Sequence, residues 1–225
     1  MKAFSIHDKY SVHLIPASAP EAPVIYLNSV SEEAQEIYDT LRHLGCPDLS
    51  LVSVTGLCWN RDLSPWESPA VFRNGEAFEG GADQYLGILT KEILPEAEKH
   101  VMGPPSWRGI AGYSLAGLFA LYSLFRTDAF SRAASMSGSL WYPGFTEYVR
   151  SNTPSSRPDC VYLSIGDKES RTKNPVLQTV LKDTEDIRDH FLKMGTDTRF
   201  QMEAGNHFVN EKERIISGLC WLLKR

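Results

Sequence analysis

"WRGIAGYSLAGLFALYSLFRTD", residues 107–128, decides how this chain folds. Residues 107–113 read as a short buried strand, and 114–128 as a strongly apolar helix. Between them Gly112-Tyr113-Ser114-Leu115-Ala116 is a variant of the G-x-S-x-G turn, with Ala116 where the second glycine usually stands. Such a turn must reverse the chain within a few residues, and small side chains at 112 and 116 leave room for it. It would hold Ser114 at a helix N-terminus, where backbone N–H groups favour negative charge. The competing reading makes Ser114 a simple helix cap in a tight turn.

The pattern repeats outward. "PVIYLN" (23–28) is a strand, and "SEEAQEIYDTLRHLG" (31–45) is a helix, with Ser31 expected as its N-cap and Gly45 at its end. "DLSLVSVTG" (48–56) is a strand again. "GADQYLGILTKEILPEAEKHV" (81–101) has helical spacing, with Pro95 expected to kink or divide it. Beyond the turn, 130–138, 159–166 and 196–205 read as strands, and 174–195 and 207–225 as helices. Alternation of this kind implies one α/β domain over 1–225, a mostly parallel sheet covered by helices on both faces. Residues 58–84 form an irregular excursion within it.

Ligands in such sheets sit at the carboxyl ends of the strands. Three of those ends carry chemistry. After the first comes Ser114. After the last comes His207, in "EAGNHF", where a base for a serine nucleophile belongs when the order is Ser, acid, His. Between them "YLSIGDKESRTKNP" offers two carboxylates, Asp167 and Glu169, to fix the histidine tautomer. Glu169 is favoured because it stands three residues after the glycine that ends its strand, with Asp167 as the alternative. The N–H of Leu115 would point at a developing oxyanion.

The totals exclude other classes. A net charge of −5 leaves no footprint for nucleic acid or an anionic membrane. No apolar run approaches the ~18 residues of a membrane span, and the first residues lack the apolar core of a signal peptide. Cys46, Cys58, Cys160 and Cys220 are widely spaced and show no CxxC pair. They are expected as buried thiols in a reducing compartment, which places the protein in the cytoplasm and makes a zinc site improbable.

With these residues in place, the chain resembles an α/β-hydrolase of the "putative esterase" group, which includes the enterobactin-type siderophore esterases and, more distantly, S-formylglutathione hydrolases and mycolyltransferases. "GYSLAGL", "SMSGSLWYPGF" and "LSIGDKE" carry the resemblance, with "VTGLCWNRDLSPW" and "GGADQYLGILTKEILP" beside them. It implies an α/β-hydrolase fold without a large lid domain. It also implies a serine esterase acting through an acyl-enzyme on Ser114, with no metal or organic cofactor. The substrate would be a small-molecule ester, of siderophore type or a small acyl ester. An acyltransferase on the same residues, or a silent hydrolase scaffold that only binds, are the rival readings. The second oxyanion donor is expected at Asn28 or Ser29, where this chain departs from the group's usual sequence. Trp141, Tyr142 and the 58–84 excursion are expected to wall an open cleft, with Trp141 and Arg61 touching substrate and Trp59 and Trp66 as weaker candidates.

Overall fold

The computed structural model describes residues 1–71 and 75–225; Phe72, Arg73 and Asn74 of the excursion lie outside the described residues. Eight strands form one sheet: β1 (Lys2–Ile6), β2 (Tyr10–Ile15), β3 (Val24–Asn28), β4 (Ser50–Thr55), β7 (Arg108–Tyr113), β8 (Arg132–Met136), β9 (Cys160–Gly166) and β10 (Asp197–Glu203). Their order is β1-β2-β4-β3-β7-β8-β9-β10. The six strands from β4 to β10 run parallel, while β1 and β2 join antiparallel at one edge. The two edge strands are an addition to the expected pattern.

Alternation along each parallel strand divides the interior in two. Val24, Tyr26, Val52, Ile110, Val161 and Leu163 face one core, and Ile25, Leu27, Leu51, Ala111, Ala134 and Tyr162 face the other. The first core is covered by α3 (Ala82–Ile88), α4 (Leu94–Glu98), α5 (Leu115–Leu124), α6 (Phe145–Ser151) and α7 (Val180–Lys193). The second lies under α1 (Ala34–His43) and α8 (Glu211–Leu223). Every residue of α5 is buried, which is why it is apolar all round rather than striped.

Local sequence accounts for most boundaries. Pro95 divides its helix as expected, through a π-helical turn, Leu89–Ile93, between α3 and α4. The wider turn relieves the clash a proline ring makes with the carbonyl four residues earlier. Ser31 is not the cap of α1, which begins at Ala34 after Glu33. The Ser31 N–H is instead held by Ser29 Oγ at 3.1 Å, and the Ser31 hydroxyl donates to Glu33 Oε2 at 3.0 Å. The excursion is more ordered than expected, containing α2 (Trp59–Asp62) and a small hairpin of β5 (Glu67–Ser68) and β6 (Phe78–Glu79). Asp62 anchors it, buried, accepting from Lys9 Nζ at 2.6 Å and Cys58 N–H at 2.9 Å. Among the described residues no large lid domain covers the sheet, and no helix is long and apolar enough to cross a membrane. Cys46 and Cys160 are buried thiols, but Cys220 is only half-buried, and Cys58, which precedes α2, is exposed.

Candidate active site

Ser114 sits at the junction of β7 and α5 with φ 58° and ψ −122°, a conformation that a residue with a side chain rarely adopts. The surroundings determine it. A Cβ on Gly112 would stand 2.5 Å from the carbonyl carbon and Cβ of Ala116, and one on Gly117 would stand 2.8 Å from Ser135 Oγ. The Ser114 N–H donates to Met136 O, and the Ser114 carbonyl accepts from the N–H groups of Gly117, Leu118 and Ser139 at 2.9–3.2 Å. Leu115 is the first residue of α5, so its N–H has no acceptor within the helix.

His207 lies on the loop after β10, half-buried, with Nε2 2.9 Å from Ser114 Oγ. Its Nδ1 lies 2.7 Å from Oε2 of Glu169, on the loop after β9. The loop is fixed by the Tyr113 hydroxyl, which donates to the His207 carbonyl at 2.6 Å, and the rings of Tyr113 and Phe208 flank the imidazole. Burial alone would raise the pKa of the Glu169 carboxyl. The hydrogen bond and charge of His207, the Gly166 N–H at 2.7 Å and the Ser137 hydroxyl outweigh it and hold the group below the usual carboxylate range. An ionised Glu169 accepts from Nδ1–H, which leaves the lone pair of Nε2 for the serine. Asp167 is turned elsewhere: its Oδ1 accepts from the Gly205 N–H at 2.7 Å and tethers the histidine loop.

Several expected contacts are corrected. The Ser29 N–H is consumed by Val54 O at 3.0 Å, continuing the sheet past the end of β3. Asn28 belongs to β3, and its buried Oδ1 accepts from the Tyr85 hydroxyl. Neither residue lines the clefts at Ser114, and the Asn28 amide nitrogen is buried without a hydrogen-bond partner. Arg61 folds onto Asp62, with Nε 2.9 Å from Oδ1, and also stays outside those clefts. Tyr142 is buried, donating to Trp66 O, and Trp66 packs against Tyr142, Phe145 and Tyr148.

Two clefts meet at Ser114. One of about 390 Å³ passes Trp141, Lys168, Arg171, Leu177 and Phe208. A smaller one of about 140 Å³ runs beneath Trp59, Asn60, Phe78 and Trp141. Trp141 and Ser139 line both, and Ser139 Oγ stands 3.4 Å from Ser114 Oγ. Ser139 escaped the sequence reading, although it lies in "SMSGSLW" directly after β8. A broader depression of about 790 Å³ beside Trp221 and Cys220 holds none of these three side chains. Arg214 also escaped notice: it is fully buried, with Nη1 2.8 Å from Glu169 Oε1.

The family model described as "Putative esterase" matches residues 11–211. Uncharacterized protein YbbA of Bacillus subtilis (strain 168) is 24% identical over 229 residues, covering 95% of this chain and 92% of its own. Siderophore hydrolase EstA from Aspergillus nidulans shares the fold at a TM-score of 0.77 and 18% identity, over 99% of this chain and 94% of its own. An IroE-like serine hydrolase from Shewanella oneidensis does so at 0.75 and 19% identity, over 96% and 75%. The chain therefore belongs to the esterase family, a carboxylic ester hydrolase on the α/β-hydrolase fold.

Proposed function

We propose that the chain cleaves its ester in two steps through an acyl-enzyme on Ser114, with His207 as general base and Glu169 as the acid that orients it. One observation carries this reading: an unbroken hydrogen-bonded line from Ser114 Oγ to His207 at 2.9 Å and on to Glu169 at 2.7 Å, opening on a cleft. Nε2 takes the serine proton as Oγ bonds to the ester carbonyl carbon. The carbonyl oxygen becomes an oxyanion facing the Leu115 N–H, and the imidazolium between Ser114 and Glu169 then gives its proton to the leaving alcohol. Water entering the open cleft is deprotonated by the same nitrogen and releases the acid.

The substrate we infer is of siderophore type or a small acyl ester. Three features support it: a branched cleft, aromatic faces at Trp141 and Phe208, and two basic side chains, Lys168 and Arg171, suited to an anionic or electron-rich ligand. The likeness to a siderophore hydrolase agrees with them. Ser114→Ala tests the reading, with a panel of p-nitrophenyl acetate and a catecholate trilactone. Turnover of every ester and labelling by a fluorophosphonate are expected to vanish while the thermal midpoint is kept. Retained turnover or labelling elsewhere removes Ser114 from the mechanism.

A further inference from the structure

Among the described residues Arg214 is the largest fully buried side chain, and it comes from a helix that supplies none of the three residues above. A lone buried cation is costly, and here five acceptors meet Nη1 and Nη2, while Nε is buried without a partner. Nη1 lies 2.8 Å from Glu169 Oε1, 2.7 Å from Ser137 Oγ and 3.2 Å from the Tyr113 hydroxyl. Nη2 donates to the carbonyls of Ala204 at 3.0 Å and Asn206 at 3.1 Å. Tyr113 ends β7, Ser137 follows β8, Glu169 follows β9, and 204–206 follow β10. One guanidinium thus touches the carboxyl ends of four neighbouring strands, including both loops that carry the acid and the base.

We propose that Arg214 is a positioning residue for ester cleavage, holding Glu169 and the His207 loop in register so that the carboxylate presents one fixed oxygen to the imidazole. A carboxylate has two equivalent oxygens, and a free one rotates. Here Oε1 is occupied by Arg214 Nη1 and the Gly166 N–H, which leaves Oε2 to His207. The second arm of the fork holds the two carbonyls that bracket Gly205, immediately before the histidine. Gly166 makes room for this arrangement: a Cβ there would stand 2.7 Å from Arg214 Nη2 and 2.3 Å from Gly205 O. A lysine could keep the charge, but its single ammonium lacks the planar fork that reaches both sets of acceptors.

The inference rests on the Ser114–His207–Glu169 reading and is tested by a double-mutant cycle in the full chain. Arg214→Met and Arg214→Lys are made alone and with Glu169→Gln. The readouts are kcat and KM for p-nitrophenyl acetate, and the rate of fluorophosphonate labelling. Arg214→Met is expected to lower kcat and labelling about 100-fold, the scale of a misplacement near 1 Å, with KM within about threefold. Arg214→Lys should recover part of that loss. In the Glu169→Gln background, where the oriented carboxylate is already gone, both changes should cost less than about threefold. Equal losses in the two backgrounds, or native kcat in Arg214→Met, would overturn the proposal. Should Arg214→Met fail to fold, Arg214→Lys, which keeps the charge and loses the planar fork, carries the same cycle alone. A several-fold loss that disappears with Glu169→Gln supports the proposal, and one that persists, or no loss, overturns it. If Ser114→Ala itself keeps turnover, the underlying reading fails; if only the cycle fails, Arg214 is a structural staple.

Discussion

Replacing Gly112 by alanine isolates the steric demand of the turn from its chemistry. The added methyl would meet Ala116 at 2.5 Å from both its carbonyl carbon and its Cβ, and at 2.6 Å from its oxygen. Carbon contacts relax near 3.5 Å, so strand and helix must part by about 1 Å. Forcing a methyl into a packed core costs about 1–3 kcal/mol. For a chain of 225 residues each kcal/mol moves the thermal midpoint about 2–4 °C, so a fall of roughly 2–12 °C is expected. Because Ser114 rides on that turn, a displacement near 1 Å should also lower kcat about 100-fold, with little effect on KM. Gly87→Ala is the control: it sits within α3, its added Cβ meets nothing within 4 Å, and helix propensity should leave it neutral or slightly more stable. Scanning calorimetry and p-nitrophenyl acetate kinetics report both quantities. Native kcat in Gly112→Ala, or equal behaviour of the two variants, would refute the steric argument.

Further expectations follow from the site and its surroundings. Glu169→Gln should lower kcat about 10³–10⁴-fold, as the wrong histidine tautomer is then favoured, while Asp167→Asn, whose oxygen can still accept from Gly205, should stay within about tenfold. Steady-state kinetics of the pair separates the two carboxylates. The depressed pKa of Glu169 also sets an acid limit to stability. A carboxyl whose folded pKa lies below its unfolded value stabilises the fold above the unfolded value, about pH 4.3, and that contribution is lost as the pH falls through the folded one. Melting curves from about pH 5 to 3 should therefore fall less steeply in Glu169→Gln than in the native protein. Among the thiols, Cys58 should react first with a disulfide reagent. Burial pushes Cys160 up to about 11 and, together with Cys220, Cys46 up to about 12, so these two should react only on unfolding.

What the sequence made legible was local. The parallel strands and their helices announce themselves by period and by turn residues, and Ser114, Glu169 and His207 each follow a recognisable strand end. The N-terminal hairpin was harder, because its turn uses His7 and Asp8 at positive φ rather than the glycine that usually marks such turns. Arg214 was illegible for a different reason. In "NEKERIISGL" an arginine reads as one more charge on a solvated helix face, and only the convergence of four loops turns it inward. Ser29 misled because a single further sheet bond consumed the N–H that an oxyanion would need. Trp141 lines both clefts, whereas Arg61 was captured by its own neighbour Asp62. Long-range closure, unlike periodicity, leaves no mark in a short window.

The strand order has an evolutionary corollary. Ser114, Glu169 and His207 hang from β7, β9 and β10, whereas the antiparallel pair β1–β2 is separated from β7 by β4 and β3. At about 4.8 Å per strand the hairpin lies well over 10 Å from β7 and Ser114. Apart from the turn at Lys9, which holds Asp62, that margin can drift, lengthen or accept grafted sequence at little catalytic risk, while the opposite margin is bound to its neighbours through one guanidinium. Divergence within this lineage should thus be lopsided, permissive at one border of the sheet and conservative at the other.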